Sequence, residues 1–220
     1  MDNNRLKLVK TISNFRYIFY AISIISIVVL IALNTTITYK YVIYRYNLRT
    51  YTGLSNEMLM DNYKTIIYYL QNPFSKELML EYFPMSSFGK IHFGEVKQIF
   101  IALYIIIIVF IIVFTIKVII NKNNNLKKMI LNTLNNISNI IAIIFISISI
   151  MSAVNFSKTF YVFHKIFFRN DYWIFDPITD PVINALPEEL FMIELVIVIV
   201  LLMIFILIVK ALYYKNIKSS

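Results

Sequence analysis

The sequence predicts an all-α integral membrane protein with four transmembrane helices, and three observations carry that prediction. Of the 220 residues, 59% are hydrophobic and the mean hydropathy is +0.71. That is more apolar surface than one soluble domain can bury. Four stretches with at most one charge each, roughly residues 17–36, 100–120, 137–157 and 190–209, are long enough to cross a hydrocarbon core, which takes about 20 helical residues. The basic residues, finally, gather at the ends of these stretches that one membrane face would hold.

Taken in order, the first span runs into Asn34-Thr35-Thr36 and then Lys40 without a small-x-small cleavage site, so it reads as a retained anchor and not as a cleaved signal peptide. The second carries Lys117 near one end, where a long side chain can snorkel to the headgroups. The third has no charge. Glu194 lies one to two turns into the fourth, where an acid is costly and faces a partner or a wet cavity. Lys97 or a tyrosine is a candidate partner for it.

Orientation follows from the charges. Arg5, Lys7, Lys10 and Arg16 precede the first span. Lys117, Lys122, Lys127 and Lys128 flank the second and third, and Lys210, Lys215 and Lys218 close the fourth. Asp2 is the single acid among them, whereas the connections 37–99 and 158–189 together hold ten bases and ten acids. Both termini are therefore expected in the cytoplasm, with the two long connections outside. The net charge of +9 is a topology signal and gives no reason to invoke nucleic acid.

The first outer loop, 37–99, is too long for a bare connection and is expected to hold amphipathic helices. From a Ser55 N-cap with Glu57 in the first turn, Met58, Leu59, Tyr63, Ile66, Ile67 and Leu70 recur at helical spacing until Pro73 stops the run. A shorter amphipathic piece, Leu78, Leu80, Tyr82 and Phe83, reaches Pro84. In the second outer loop, 158–189, Tyr161, Phe167, Phe168, Tyr172 and Trp173 fit an aromatic belt at headgroup depth. Asp180 can cap a short helix opened by Pro181, and Pro187-Glu188-Glu189 suits the first turn of the last span.

The chain has two histidines, His92 and His164, and both fall near spans on the outer side. A helix beginning near Gly89 puts His92 and Glu95 on one face, where a carboxylate can fix the imidazole tautomer. Taken singly, each histidine also fits a headgroup contact. Lipid ester carbonyls lie at this depth, so acyl transfer is the reaction class that two titratable rings suggest, one as base and one as acid or oxyanion donor. An α-amine with a pKa near 8 needs little activation to attack an ester. No G-x-S-x-G elbow surrounds any serine. Cysteine is absent, which removes thiol nucleophiles and thiolate metal sites. A metal site would need His92, His164 and carboxylates such as Glu95 or Asp171, without any H-E-x-x-H spacing, and no P-loop or dinucleotide fingerprint is present.

Gly53-Leu54-Ser55, Tyr63, Tyr69-Leu70, the run His92-Phe93-Gly94-Glu95-Val96-Lys97 and the stretch from Phe163-His164 through Asn170-Asp171, Trp173, Asp176-Pro177, Asp180 and Leu186-Pro187-Glu188 resemble the lipoprotein intramolecular transacylases (Lit) of Gram-positive bacteria. The resemblance spans nearly the whole chain. It implies a cell-membrane enzyme, without cofactor, that moves the sn-2 acyl chain of a diacylglyceryl-cysteine lipoprotein onto the cysteine's α-amino group, giving a lyso-form lipoprotein. It also implies His92 and His164 as the central residues, in either order of roles. Lys97, Arg169 and Tyr172 become candidate oxyanion or phospholipid-headgroup contacts, while Asp171 and Asp176 become orienting groups. Glu95 departs from the shorter Asp of many members. The competing readings are a non-enzymatic accessory or chaperone-like membrane protein and a metal-dependent membrane hydrolase.

Overall fold

The computed structural model describes the backbone of residues 3–120 and 126–218 and the side chains of residues 15–120 and 126–217. Among them are eight α-helices and no strand: α1 Asn3–Leu33, α2 Thr36–Arg45, α3 Leu48–Thr52, α4 Asn56–Gln71, α5 Ser87–Ile120, α6 Leu126–Val154, α7 Phe156–Phe167 and α8 Glu188–Lys218, with a 3-10 turn at Pro181–Asn184 before α8. Asp2, Lys122 and the side chains of Arg5, Lys7, Lys10 and Lys218, which enter the charge argument, lie outside the described residues.

Four of these helices, α1, α5, α6 and α8, are long and apolar enough to cross a membrane. Helix α5 shows why lipid is required. Ile105, Ile108, Ile111, Ile112 and Ile116 are all exposed, so the helix presents a broad apolar face for lipid to cover. Each of these helices hydrogen-bonds its own backbone, which is the condition for entering hydrocarbon.

Two compact units divide the chain. One comprises Met1–Val29, Leu103–Ile150 and Val198–Ser220, the other Leu30–Ala102 and Met151–Ile197. In the first, Tyr20 is buried edge-on against Phe110 at 5.3 Å, and Lys117 places its ammonium over the Tyr20 ring, 5.9 Å from the centroid. Lys210 donates to the side-chain oxygens of Asn135 at 2.7 Å and Asn139 at 2.6 Å, which gives the ammonium two acceptors on an otherwise apolar helix.

The second unit holds every candidate site residue. Helix α4 forms as the periodicity predicts. Ser55 Oγ accepts from Met58 N at 3.3 Å, Glu57 occupies the first turn, Leu59, Ile66 and Leu70 are buried, and the helix ends at Gln71 before Pro73. Tyr39 of α2 stacks on Tyr63 of α4 at 4.1 Å and donates its hydroxyl to Ala185 O at 3.0 Å. Paired amides of Asn34 and Gln71 join the end of α1 to the end of α4.

Three expectations are corrected here. Leu78, Leu80, Tyr82 and Phe83 do not form a helix. Leu78 and Phe83 are buried, Glu77 pairs with Lys90, and Ser75 O accepts from Lys97 Nζ, so the segment between Pro73 and Pro84 is tied down by side chains and not by its own backbone. The second correction concerns the loop 158–189, whose first part is the amphipathic helix α7, capped by Asn155 Oδ1 accepting from Lys158 N at 2.8 Å. Asp180, third, occupies the N-cap position of the 3-10 turn, but its side chain makes no capping bond. Its buried carboxylate accepts instead from Ser86 N at 2.8 Å and from the Thr179 hydroxyl at 3.0 Å. Gly89 makes that contact possible, because a Cβ there would overlap Asp180 Oδ1.

Candidate active site

Helix α5 opens at Ser87, where Ser86 Oγ accepts from Gly89 N at 3.0 Å. That start, locked by Asp180, sets the rotation of the helix and turns His92 inward, 7% exposed. Helix α7 presents His164, 8% exposed. The two imidazoles meet with ring centroids 6.0 Å apart and planes inclined by 36°.

Aromatic side chains wall the pair. Phe168 meets the His92 ring edge-on at 4.7 Å and Phe175 does so at 5.5 Å. Trp173 stacks on His164 at 4.5 Å with planes 28° apart, and Phe160 contacts it at 4.3 Å. Such rings exclude water and lower the local dielectric, so charges that develop in the site interact strongly.

The tautomer of His164 is readable. Its Nδ1 lies 2.8 Å from the carbonyl oxygen of Phe160, one helical turn earlier. A carbonyl only accepts, so Nδ1 carries the proton and the neutral ring offers Nε2 as a lone pair. Burial holds the His164 pKa below the usual histidine value, with the Phe160 carbonyl opposing the shift. His92 differs: its Nδ1 is buried with no hydrogen-bond partner among the described residues.

The supporting candidates separate on inspection. Glu95 does not orient His92. Its Oε1 accepts from Asn170 Nδ2 at 2.7 Å, while its Oε2 is buried without a partner. Asn170 also holds the segment that follows α7, for its Oδ1 accepts from Tyr172 N at 3.1 Å and its carbonyl from Trp173 Nε1 at 3.1 Å. Lys97 is committed to Ser75 O, with its ammonium 4.6 Å from the Tyr69 ring centroid. Asp171 is exposed and pairs with Lys165. Asp176 is exposed and closes a turn by accepting from Ile178 N at 2.9 Å. Tyr172 stacks on Phe88 at 4.6 Å, and Arg169 is exposed.

Glu194 is buried beside Thr38, and no donor among the described residues reaches either carboxylate oxygen in full hydrogen-bond geometry. Neither Lys97 nor a tyrosine bonds it. Burial first, and the Glu194 charge second, push the Tyr63 hydroxyl above the usual tyrosine range. Glu194 therefore belongs with the α2–α4 tyrosines. Among the described residues no group of three or more His, Cys, Asp or Glu could hold a metal ion.

Sequence reasoning missed Trp173, Phe168, Phe175 and Asn170 as parts of the site. Phe168 and Trp173 read as parts of a headgroup belt, yet Phe168 is buried against His92. The signal that could have placed them is Phe156, Phe160, Phe163 and Phe167, whose helical spacing marks α7 and puts His164 on a defined face.

The geometry stands beside three comparisons. The model of the family described as lipoprotein intramolecular transacylase Lit matches residues 14–191. No curated protein sequence matches the chain. Among solved structures, the membrane-integral lipoprotein intramolecular transacylase Lit of Bacillus cereus is 27% identical, with 97% of each chain covered and a TM-score of 0.83. A histidine-to-arginine variant of that protein is 26% identical over 98% of this chain and 96% of its own, with a TM-score of 0.71. A histidine-to-alanine variant is 26% identical over 98% of both chains, with a TM-score of 0.75.

Proposed function

We infer the reaction from one premise: the chain belongs to the lipoprotein intramolecular transacylase (Lit) family. It is an acyltransferase that moves the sn-2 acyl chain of a diacylglyceryl-cysteine lipoprotein to the α-amino group of the same cysteine, leaving a lyso-form lipoprotein. The observation that carries this reading on the chain itself is the buried histidine pair, 6.0 Å apart inside an aromatic wall.

The roles follow from the ring chemistry. His164 Nε2, held as the acceptor by the Nδ1 contact to Phe160 O, is the general base that takes a proton from the amine as it attacks the ester carbonyl carbon. His92 faces the developing oxyanion and gives a proton to the departing sn-2 oxygen. One C–N bond forms and one C–O bond breaks. The proton on His164 passes to His92 in the same step as His92 protonates the sn-2 oxygen, so no imidazolate forms and the pair is reset without a cofactor.

The test is a purified-protein assay on a synthetic diacylglyceryl-cysteine lipopeptide labelled in its sn-2 acyl chain. Transacylation leaves the mass unchanged and moves the label to an amide on the cysteine nitrogen. Release of the label as free fatty acid would identify a hydrolase instead, and no change at all would return the accessory-protein reading.

The acid limb of the pH profile provides a second check. Protonating His164 Nε2 removes the base, so activity falls as pH falls, and burial moves that loss below the ordinary histidine pKa of 6.5. The substrate amine adds its own limb near pH 8. Dividing the rate by the free-amine fraction should leave a single acid limb with an apparent pKa under 6.5. A limb above 6.5 would remove His164 from the role of base.

Orientation belongs to the same proposal, with both termini cytoplasmic and the site on the extracytoplasmic side, as the basic residues suggest. Arg169 is then available to phospholipid phosphates. The natural chain has no cysteine, so single cysteines report side directly. Phe74→Cys, at a 90% exposed position, is expected to react with an impermeant maleimide on intact cells. Lys215→Cys is expected to react only after lysis, and the opposite pattern would invert the topology.

A further inference from the structure

We propose that Glu95 recognises the free α-ammonium of the lipidated N-terminal cysteine, so that it selects substrates with an unmodified amine and releases the acylated product. This rests on the transacylase reading and names a residue that the histidine chemistry leaves unused.

Glu95 follows His92 by three residues on α5, which places both on one helical face. Asn170 fixes one oxygen of its carboxylate at 2.7 Å, leaving the second, Oε2, buried and without a hydrogen-bond partner among the described residues. A buried carboxylate oxygen with no donor is costly. The nearby cations do not supply one: Lys97 bonds Ser75 O, Lys90 pairs with Glu77, and Lys165 pairs with Asp171. His92 Nδ1, on the same face, is likewise buried and unpartnered. A buried anionic oxygen with no donor fits a small cationic one, and an ammonium carries three N–H donors.

The consequence is selectivity at both ends of the reaction. A cysteine whose nitrogen is still in a peptide bond, or already acylated, has a neutral amide with one N–H and no charge to offer Glu95. Of the three ammonium protons, one stays on the product amide, one reaches the sn-2 oxygen through the histidine pair, and one leaves to solvent. The amide product therefore loses the charge that held its precursor. Asn170 acts as a positioning residue by keeping Oε1 occupied and Oε2 aimed at the substrate nitrogen.

Trp173 is the one tryptophan of the chain and stacks on His164, so its fluorescence reports occupancy. The full-length protein in lipid nanodiscs is titrated with two non-reactive dialkyl-ether lipopeptides, one with a free α-amine and one α-N-acetylated. Wild type is expected to bind the free amine at least about tenfold more tightly, the scale of a charge-assisted hydrogen bond. Glu95→Gln still offers Asn170 an acceptor and should abolish the preference while leaving affinity for the acetylated peptide unchanged, which also shows that it is folded. Glu95→Asp keeps the charge and should keep a preference. Equal binding of the two peptides by wild type, or a preference that survives Glu95→Gln, overturns the proposal. Label transfer on the reactive diacyl peptide, run on the same preparation, separates the two readings. Transfer by wild type together with a Glu95-independent preference sinks only the ammonium site, whereas absence of transfer sinks the transacylase reading and this proposal with it.

Discussion

Replacing His164 with alanine is expected to lower kcat/KM for acyl transfer by about 10²–10⁴-fold, the range a positioned general base supplies. The expectation rests on the ring's fixed tautomer. With Nδ1 committed to Phe160 O at 2.8 Å, Nε2 is always the acceptor, and no rotation or tautomer change competes with proton abstraction. The wall around the ring should survive the change, because Trp173 is held independently by its Nε1 bond to Asn170 O. A purified His164→Ala protein that unfolds at the wild-type temperature yet retains more than a tenth of the wild-type rate would remove His164 from the chemistry.

Replacing His92 with alanine is expected to cost about 10²–10³-fold, and to cost it in kcat with KM nearly unchanged. A donor to an oxyanion acts only once charge has developed, so its loss raises the barrier without weakening the ground-state complex. His92 also fills the space between Phe168 and Phe175, so the alanine variant should melt somewhat lower. His92→Gln restores much of the volume and one donor, and should recover part of the melting temperature and part of kcat together. A rise in KM at constant kcat would instead assign His92 to substrate binding.

Much of the architecture was legible because lipid imposes a coarse rule. A helix such as α5 must be apolar around its circumference, and a run of isoleucine and valine states that without ambiguity. The amphipathic α4 was legible too, since its cap, its period and its proline stop agree. The segment around Leu78 was not. Its apolar residues fit a helix, but the tertiary anchors at Glu77–Lys90 and Ser75–Lys97 override a weak local pattern. Helix α7 was hidden for the opposite reason, because its phenylalanines are consistent with an interfacial belt and only their spacing separates the two readings.

At the site, chemical identity was easier to read than partnership. Two histidines in the whole chain drew attention to themselves, and the fold brings them together. Glu95 looked like a partner of His92 because sequence proximity favours contacts within a helix. The actual partner, Asn170, lies 75 residues away, and nothing local announces it. Asp180 likewise looked like a cap for its own turn, whereas its bonds go to the start of α5. Asp171 and Asp176, drawn as orienting groups, satisfy Lys165 and a turn.

The most direct test of the central claim is a kinetic comparison of labelled sn-2 acyl transfer by wild type, His92→Ala, His164→Ala and the double variant in one lipid composition. If the two rings pass one proton around a single transition state, they act as a unit, and the double variant should be no more than a few-fold slower than the slower single one. Losses that multiply in full, or a double variant that still transfers the label at the wild-type rate, would contradict a two-histidine site.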